Sequence, residues 1–251
     1  MPDTIKALYP IALAEGEGVG TAYEYVAKAR FLRPLSLKLG RSGPTGRVLV
    51  AGLPEKYGVS LDFALLAERS GAALEIADER PEAIERAARA IEQARRDGWL
   101  AHVQTSFRQL GSLDEVASLP AQDAVVCCEV LQRLPPERRP AFAEALRALA
   151  PVGAVFVPNA ENGAHLKISG LGGFTLAELA ELFRGARLAY VDMPPFPPGI
   201  VRSPEQRAKA STGALEWLAM RALDAYCAAE PWAPKFVKRR AAHIVCALWG
   251  A

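Results

Sequence analysis

Asp78 closes an apolar run in ADERPEAIERA, with Glu79 beside it and Pro81 opening a helical pattern. A carboxylate at a strand end, 26 residues after the glycine turn at Gly52, is placed to accept hydrogen bonds from both hydroxyls of a ribose. The plainer role for the same carboxylate is to cap the helix that begins near Pro81. Upstream, RVLVAGLPEKYG reads as a buried strand and a tight turn at Gly52, yet Pro54, Glu55 and Lys56 stand where an anion-cradling loop carries more glycines. Glycine lets bare backbone approach an anion and aim N–H groups at it, and Pro54 removes one such donor. His165 lies in PNAENGAHLKISGLGGF, a polar, glycine-rich stretch of the kind that meets a substrate. Imidazole titrates near pH 6.5 and suits proton abstraction from a hydroxyl or amine; the alternative is a loop histidine bonded to backbone. His102 and His243 fall in apolar runs and read as structural.

The elements that must position these residues alternate. Apolar runs at 47–51, 73–77, 101–105, 124–128, 154–158, 187–192 and 242–249 read as strands, and amphipathic patterns at 60–70, 81–97, 136–149 and 175–183 read as helices. Such alternation predicts right-handed βαβ units, a mostly parallel sheet and helices on both faces, with ligands outside the carboxyl ends of the strands. Ser112 with Glu115, Thr175 with Glu178, and Ser203 with Gln206 have the capping-box spacing, and Pro204 fits a first helical position. Two segments stand outside the alternation: residues 1–46, read as a helical cap, and an insertion at about 193–240 within the α/β domain of residues 47–251. EGEGVG precedes a helix but follows no strand, so it fails as a dinucleotide fingerprint.

Composition narrows the class. In 251 residues, 51% hydrophobic and 23% charged describe a globular chain, and 30 Lys+Arg against 28 Asp+Glu leave a net charge of +2, too small for a chain-wide nucleic-acid or membrane surface. A small-molecule partner is the expectation. PKFVKRR, residues 234–240, is a local basic exception, read as a solvated segment or as a phosphate or acidic-substrate contact. The four cysteines form no CxxC, and buried thiols in a reducing cytoplasm fit them better than disulfides or zinc. The apolar run ALYPIALA, interrupted by Pro10, makes a poor signal peptide, and no stretch reaches the roughly 20 apolar residues of a membrane span. Nothing in the sequence requires a metal.

Taken in order, the strand–glycine turn, the acidic strand end Asp78 to Glu82 (D-x-x-P-E), the segment Asp123 to Leu134 (D-x-V…V-L-x-x-L) and Arg147 to Gly153 (R-x-L-x-P-x-G) resemble class I S-adenosylmethionine-dependent methyltransferases. The resemblance covers residues 36–198, about two thirds of the chain, and rests on order and spacing. It implies a Rossmann-like seven-stranded sheet of order 3-2-1-4-5-7-6, with HIVCALW as the inserted antiparallel strand. It also implies S-adenosylmethionine as cofactor and methyl transfer to a small-molecule acceptor; the rival is a non-catalytic binding or interaction module on the same fold. A nicotinamide oxidoreductase is disfavoured, since no G-x-G-x-x-G follows the first strand.

Carried onto this chain, Gly52, Leu53, Asp78, Glu79, Ser106, Phe107, Cys128 and Glu129 would hold the cofactor. Leu53, Glu55 or the following helix turn would offer N–H groups to its amino-acid end, Ser106 and Phe107 would meet adenine, and Cys128 and Glu129 would face the sulfonium. Ser106 and Phe107 read equally as turn residues filling the core, and Glu129 as a solvent-facing helix start. Tyr23, Tyr25, His165 and Phe196 would line the acceptor side, with His165 as the base. The departures are Val50 or Ala51 where the family has an acid, a first turn with only Gly52 before Gly58, TSFRQL where an acid would receive the adenine amino group, and Arg133 where a histidine is frequent.

Overall fold

The computed structural model describes residues 4–42, 46–55, 58–196 and 214–251. Three helices, α1 (Ile5–Ala14), α2 (Val19–Phe31) and α3 (Arg33–Ser42), precede the sheet. Then follow β1 (Arg47–Ala51), α4 (Leu61–Ser70), β2 (Ala73–Asp78), α5 (Pro81–Arg96), β3 (Thr105–Gln109), β4 (Ala124–Cys128), α6 (Arg139–Leu149) and β5 (Val152–Pro158). The chain continues through α7 (Gly163–Ser169), α8 (Leu176–Leu182), β6 (Arg187–Val191), α9 (Ala214–Ala229), α10 (Lys235–Ala241) and β7 (Ile244–Trp249). The seven strands order as 3-2-1-4-5-7-6, with β7 antiparallel to both β5 and β6, as the family resemblance implies.

Burial explains the residue types. β4, β5 and β7 are buried along their whole length, which is why AVVCC, VGAVFVP and IVCALW are continuously apolar. Period-two alternation divides their side chains between two cores. Val50, Ile76, Val126, Cys128, Phe156 and Cys246 face α1, α2, α4 and α5, while Leu49, Ala77, Cys127, Val155 and Ala247 face α6 and α8. On α5 the buried stripe is Ala83, Ala87, Ala90, Ile91 and Ala94, alanine at every position but one. Pro81 opens that helix, and Thr175 with Glu178 forms the expected capping box on α8. Among the described residues, no helix is long and apolar enough to cross a membrane, and all four cysteines are free and buried.

Several expectations are corrected. β3 runs over 105–109 rather than 101–105, because it is an edge strand whose side chains are mostly exposed, so apolarity does not mark it. His102 therefore lies outside any strand, its N–H turned to the Glu68 carboxylate (3.1 Å). Ser112 makes no side-chain cap; Glu115 instead accepts from the Gly111 N–H (3.1 Å). The Ser203–Gln206 box falls outside the described residues. The basic stretch 234–240 is mostly the short helix α10, where Arg239 pairs with Glu161 (3.3 Å) and Lys238 donates to the Pro231 carbonyl.

Helices α1 to α3 share the first core with the sheet, and α9 is tied to them through the Asp224 carboxylate, which accepts from the Ile5 N–H (2.7 Å). One glycine of the central sheet is dictated by close approach. A methyl group on Gly153 would collide with the Trp249 ring and stand 2.7 Å from the Val125 carbonyl. Gly153→Ala is expected to cost about 1–3 kcal/mol of overpacking strain; a thermal midpoint equal to wild type would refute it.

Candidate functional site

β1, β2 and β4 run parallel, and their register sets Ala51 beside Ala77 and Val50 beside Val126. Gly52, Asp78 and Glu129 therefore emerge from one edge of the sheet, where strand order reverses between β1 and β4. Asp78 has no exposed surface, and its carboxylate is fully engaged. Oδ2 accepts from the Leu53 N–H (2.7 Å), and Oδ1 accepts from both the N–H and Nε of Arg80 (2.8 Å each). Arg133 approaches Oδ2 at 3.5 Å. Burial alone would raise this carboxyl's pKa, but the hydrogen bonds from Arg80 and Leu53 outweigh it and hold Asp78 below the usual carboxylate range. Glu79 accepts from the Leu113 N–H (3.2 Å) and lies 3.7 Å from Arg133.

Gly52 adopts φ 86°, and a methyl group there would meet Val130 Cγ2 at 2.6 Å. The glycine is thus required by the turn and by Val130, whose side chain occupies the space that the missing Cβ leaves. Beyond it, the Glu55 backbone favours the charged form of the Glu129 carboxyl, though burial outweighs it. Gly58 donates to Glu17 (3.3 Å), and Val59 and Leu61, at the start of α4, donate to Glu15 (2.6 and 2.5 Å). Tyr25 also donates its hydroxyl to Glu15. Burial pushes the Glu15 pKa up to about 7. Glu129 sits at φ 54°, its Oε2 is buried without a hydrogen-bond partner among the described residues, and burial raises its pKa to about 8.

Lys28, on α2, is wholly buried beside these groups. Its Nζ lies 3.0 Å from Glu24, 3.1 Å from Asp62 on the first turn of α4, and 3.7 Å from Cys128 Sγ at the end of β4. It stands 4.6 Å from the Phe63 ring centre and 5.3 Å from that of Phe156. Burial opposes its charge, but Asp62, Cys128 and Glu24 outweigh burial and keep Lys28 protonated. Even with this cation, burial raises Asp62 to about 6.

At the neighbouring ends of β5 and β7, His165 stacks on His243 with ring centres 4.2 Å apart. His243 Nδ1 lies 2.9 Å from the Asp192 carboxylate, which overcomes burial and raises its pKa. Burial, and then the charge on His243, push His165 down to about 4. His165 is therefore neutral at pH 7 but a weaker base than free imidazole, which corrects the expectation of an unperturbed one.

The remaining predicted residues fall as follows. Cys128 ends β4 as expected, a thiol pushed well up in pKa by burial. Ser106 and Phe107 lie within β3, paired to Glu75 and Ile76, and not past its end; this removes them from the carboxyl edge where adenine would sit. Tyr23 is buried, donating to Glu230 (2.6 Å) and toward the Met193 carbonyl (3.3 Å), and Tyr25 is buried against Glu15. Their hydroxyls stitch the N-terminal helices to the insertion and to α4, so neither lines an open acceptor side. Phe196 is partly exposed near Gly20 of α2.

Sequence reasoning missed Lys28, Glu24, Asp62, Glu15 and His243. The available signal was Lys28 four residues after Glu24 on a helix otherwise bearing Tyr25, Val26, Ala27 and Phe31 on its buried side. Among the described residues, no His, Cys, Asp and Glu side chains group in threes or more as metal ligands would.

No protein-family model matches the sequence, and no curated protein matches it. Solved structures do. A SAM-dependent methyltransferase from Archaeoglobus fulgidus superposes with a TM-score of 0.52 at 13% identity, over 88% of this chain and 90% of that one. The fold is that of the class I S-adenosylmethionine-dependent methyltransferases. Weaker matches to this methyltransferase fold are the magnesium protoporphyrin IX methyltransferase of Synechocystis PCC 6803 (TM-score 0.44, 16% identity, 67% of this chain and 78% of that one) and the small RNA methyltransferase HEN1 (0.45, 17%, 62% of this chain). The present chain spans only 22% of the HEN1 chain. At these identities the likeness concerns the methyltransferase fold alone.

Proposed function

We propose that this protein is an S-adenosylmethionine-dependent methyltransferase acting on a small-molecule acceptor in the cytoplasm. The observation that carries the reading is the convergence of Gly52, Asp78 and Glu129 at the carboxyl edge where strand order reverses, the position at which open α/β sheets bind ligands. When bound, the cofactor supplies an electrophilic methyl group on a sulfonium. Asp78, with Glu79 beside it, would receive the ribose, provided that Arg80 yields part of its hold. Cys128 and Glu129 would lie toward the sulfonium, where a carboxylate is electrostatically favourable. Phe196 and the neutral His165 belong to the acceptor side, with His165 able to accept a proton but not to hold one at pH 7. Residues 1–46 and the 193–240 insertion would enclose the acceptor and exclude water, so that rate comes mainly from orientation. A net charge of +2 argues for a small acceptor over a nucleic acid, and four buried thiols suit a reducing compartment.

A second reading, a non-catalytic module, is favoured by one observation: Asp78 already has its full complement of partners, and Val130 fills the space at Gly52. Calorimetric titration with S-adenosylmethionine, S-adenosylhomocysteine and NAD separates the two. The enzyme should bind the first two and ignore the third; silence toward all three would leave the module.

A further inference from the structure

The N–H groups that a glycine loop normally offers to a ligand are already spent on carboxylates of the chain itself. Leu53 gives its N–H to Asp78, Gly58 to Glu17, and Val59 and Leu61 to Glu15. Glu15 differs from Asp78 in origin: it comes from the end of α1, outside the sheet, and reaches the start of α4 to be met there by Tyr25. A methyl group on Gly58 would collide with the Glu15 carboxylate, so the bareness of this glycine serves the protein's own anion. Lys28 adds an ammonium 3.1 Å from Asp62 on the same helix turn, over the faces of Phe63 and Phe156.

We infer that Glu15 is an internal ligand filling the amino-acid end of the nucleoside site, so that the folded protein takes adenosyl thioethers lacking an α-carboxylate ahead of those that carry one. The inference rests on the adenosyl-site reading above. An incoming α-carboxylate must displace Glu15 from Val59 and Leu61 and then lie beside Glu17, which accepts from Gly58, and in the field of Asp62. A nucleoside without that group meets no such competition.

The test is calorimetric titration of the full chain with 5′-methylthioadenosine and with S-adenosylhomocysteine, repeated on Glu15→Ala. The wild type should bind methylthioadenosine at least as tightly as S-adenosylhomocysteine. Glu15→Ala should tighten S-adenosylhomocysteine by about tenfold or more, the scale of one charged hydrogen-bond site, and leave methylthioadenosine within about twofold. A wild type that favours S-adenosylhomocysteine tenfold, or a folded Glu15→Ala that binds it no better, overturns the inference. The wild-type ranking decides alone if the variant does not fold. Failure of both nucleosides to bind either protein overturns the adenosyl site itself, an outcome distinct from the wrong ranking.

Discussion

Lys28→Met is expected to remove about 3–5 kcal/mol of stability at pH 8, the usual effect of stripping one partner from a buried ion pair. Methionine keeps most of the aliphatic volume between Phe63 and Phe156, so the loss reports charge more than packing. Asp62 and Glu24 would then lose the cation that they share among the described residues. The sign of the pH dependence follows from Asp62. Its pKa is raised by burial to about 6 even with Lys28 beside it, so folding favours the protonated form. For a carboxyl of this kind, stability is present below the unfolded pKa and falls as pH rises through the folded one. Glu15 and Glu129, raised to about 7 and about 8, act in the same direction. The cost of Lys28→Met should therefore shrink markedly at pH 5, where Asp62 takes a proton. Urea unfolding at pH 5 and pH 8 measures this; an equal loss at both would show that Lys28 is not balancing Asp62.

Asp78→Ala should cost about 3 kcal/mol at pH 7, since it leaves the Leu53 N–H and two guanidinium groups facing an emptied, buried position. The linkage of the Asp78 carboxyl itself has the opposite sign to that of Asp62. The Asp78 pKa is held below its ordinary value, so its contribution is present above that value and is lost as pH falls through the folded one. Wild type and variant should converge in stability as pH drops below about 4, the ordinary range of an aspartate. Both costs shrink on acidification but in different windows, that of Lys28→Met between pH 8 and pH 5 and that of Asp78→Ala only below about 4, and this separates a carboxyl held against its solvation from one held in its charged form. A cost that persists unchanged below that range would assign Asp78 a packing role only. If Asp78 also receives the ribose, the variant should weaken S-adenosylhomocysteine by about 1–3 kcal/mol.

The order of elements was legible because the central strands are buried on both faces: RVLVA and AVVCC match β1 and β4 residue for residue. β3 was not, since an edge strand with exposed side chains has no apolar pattern to read. The site divides in the same way. Gly52, Asp78 and Glu129 are fixed by local position at strand ends, so sequence places them. Lys28 and Glu15 acquire their meaning from α2 and α1 packing onto the start of α4, contacts that no spacing within either helix announces. A lysine four residues after a glutamate reads as a solvated pair until Phe63 and Phe156 close over it. Ser106 and Phe107 show the opposite error, where a shift of four residues in a strand boundary moved two side chains from the rim of the sheet into its side.

The position of β7 also bears on how the chain assembles. β5 and β6 each pair with β7 and not with each other, and residues 192–243 lie between β6 and β7. During synthesis both strands therefore emerge well before the one that joins them, leaving strand edges with unpaired N–H and C=O groups and apolar side chains open to wrong partners in the interval. A growing chain would be most vulnerable to aggregation in that window, and a factor that shields nascent strands would act there, on residues 152–158 and 187–191.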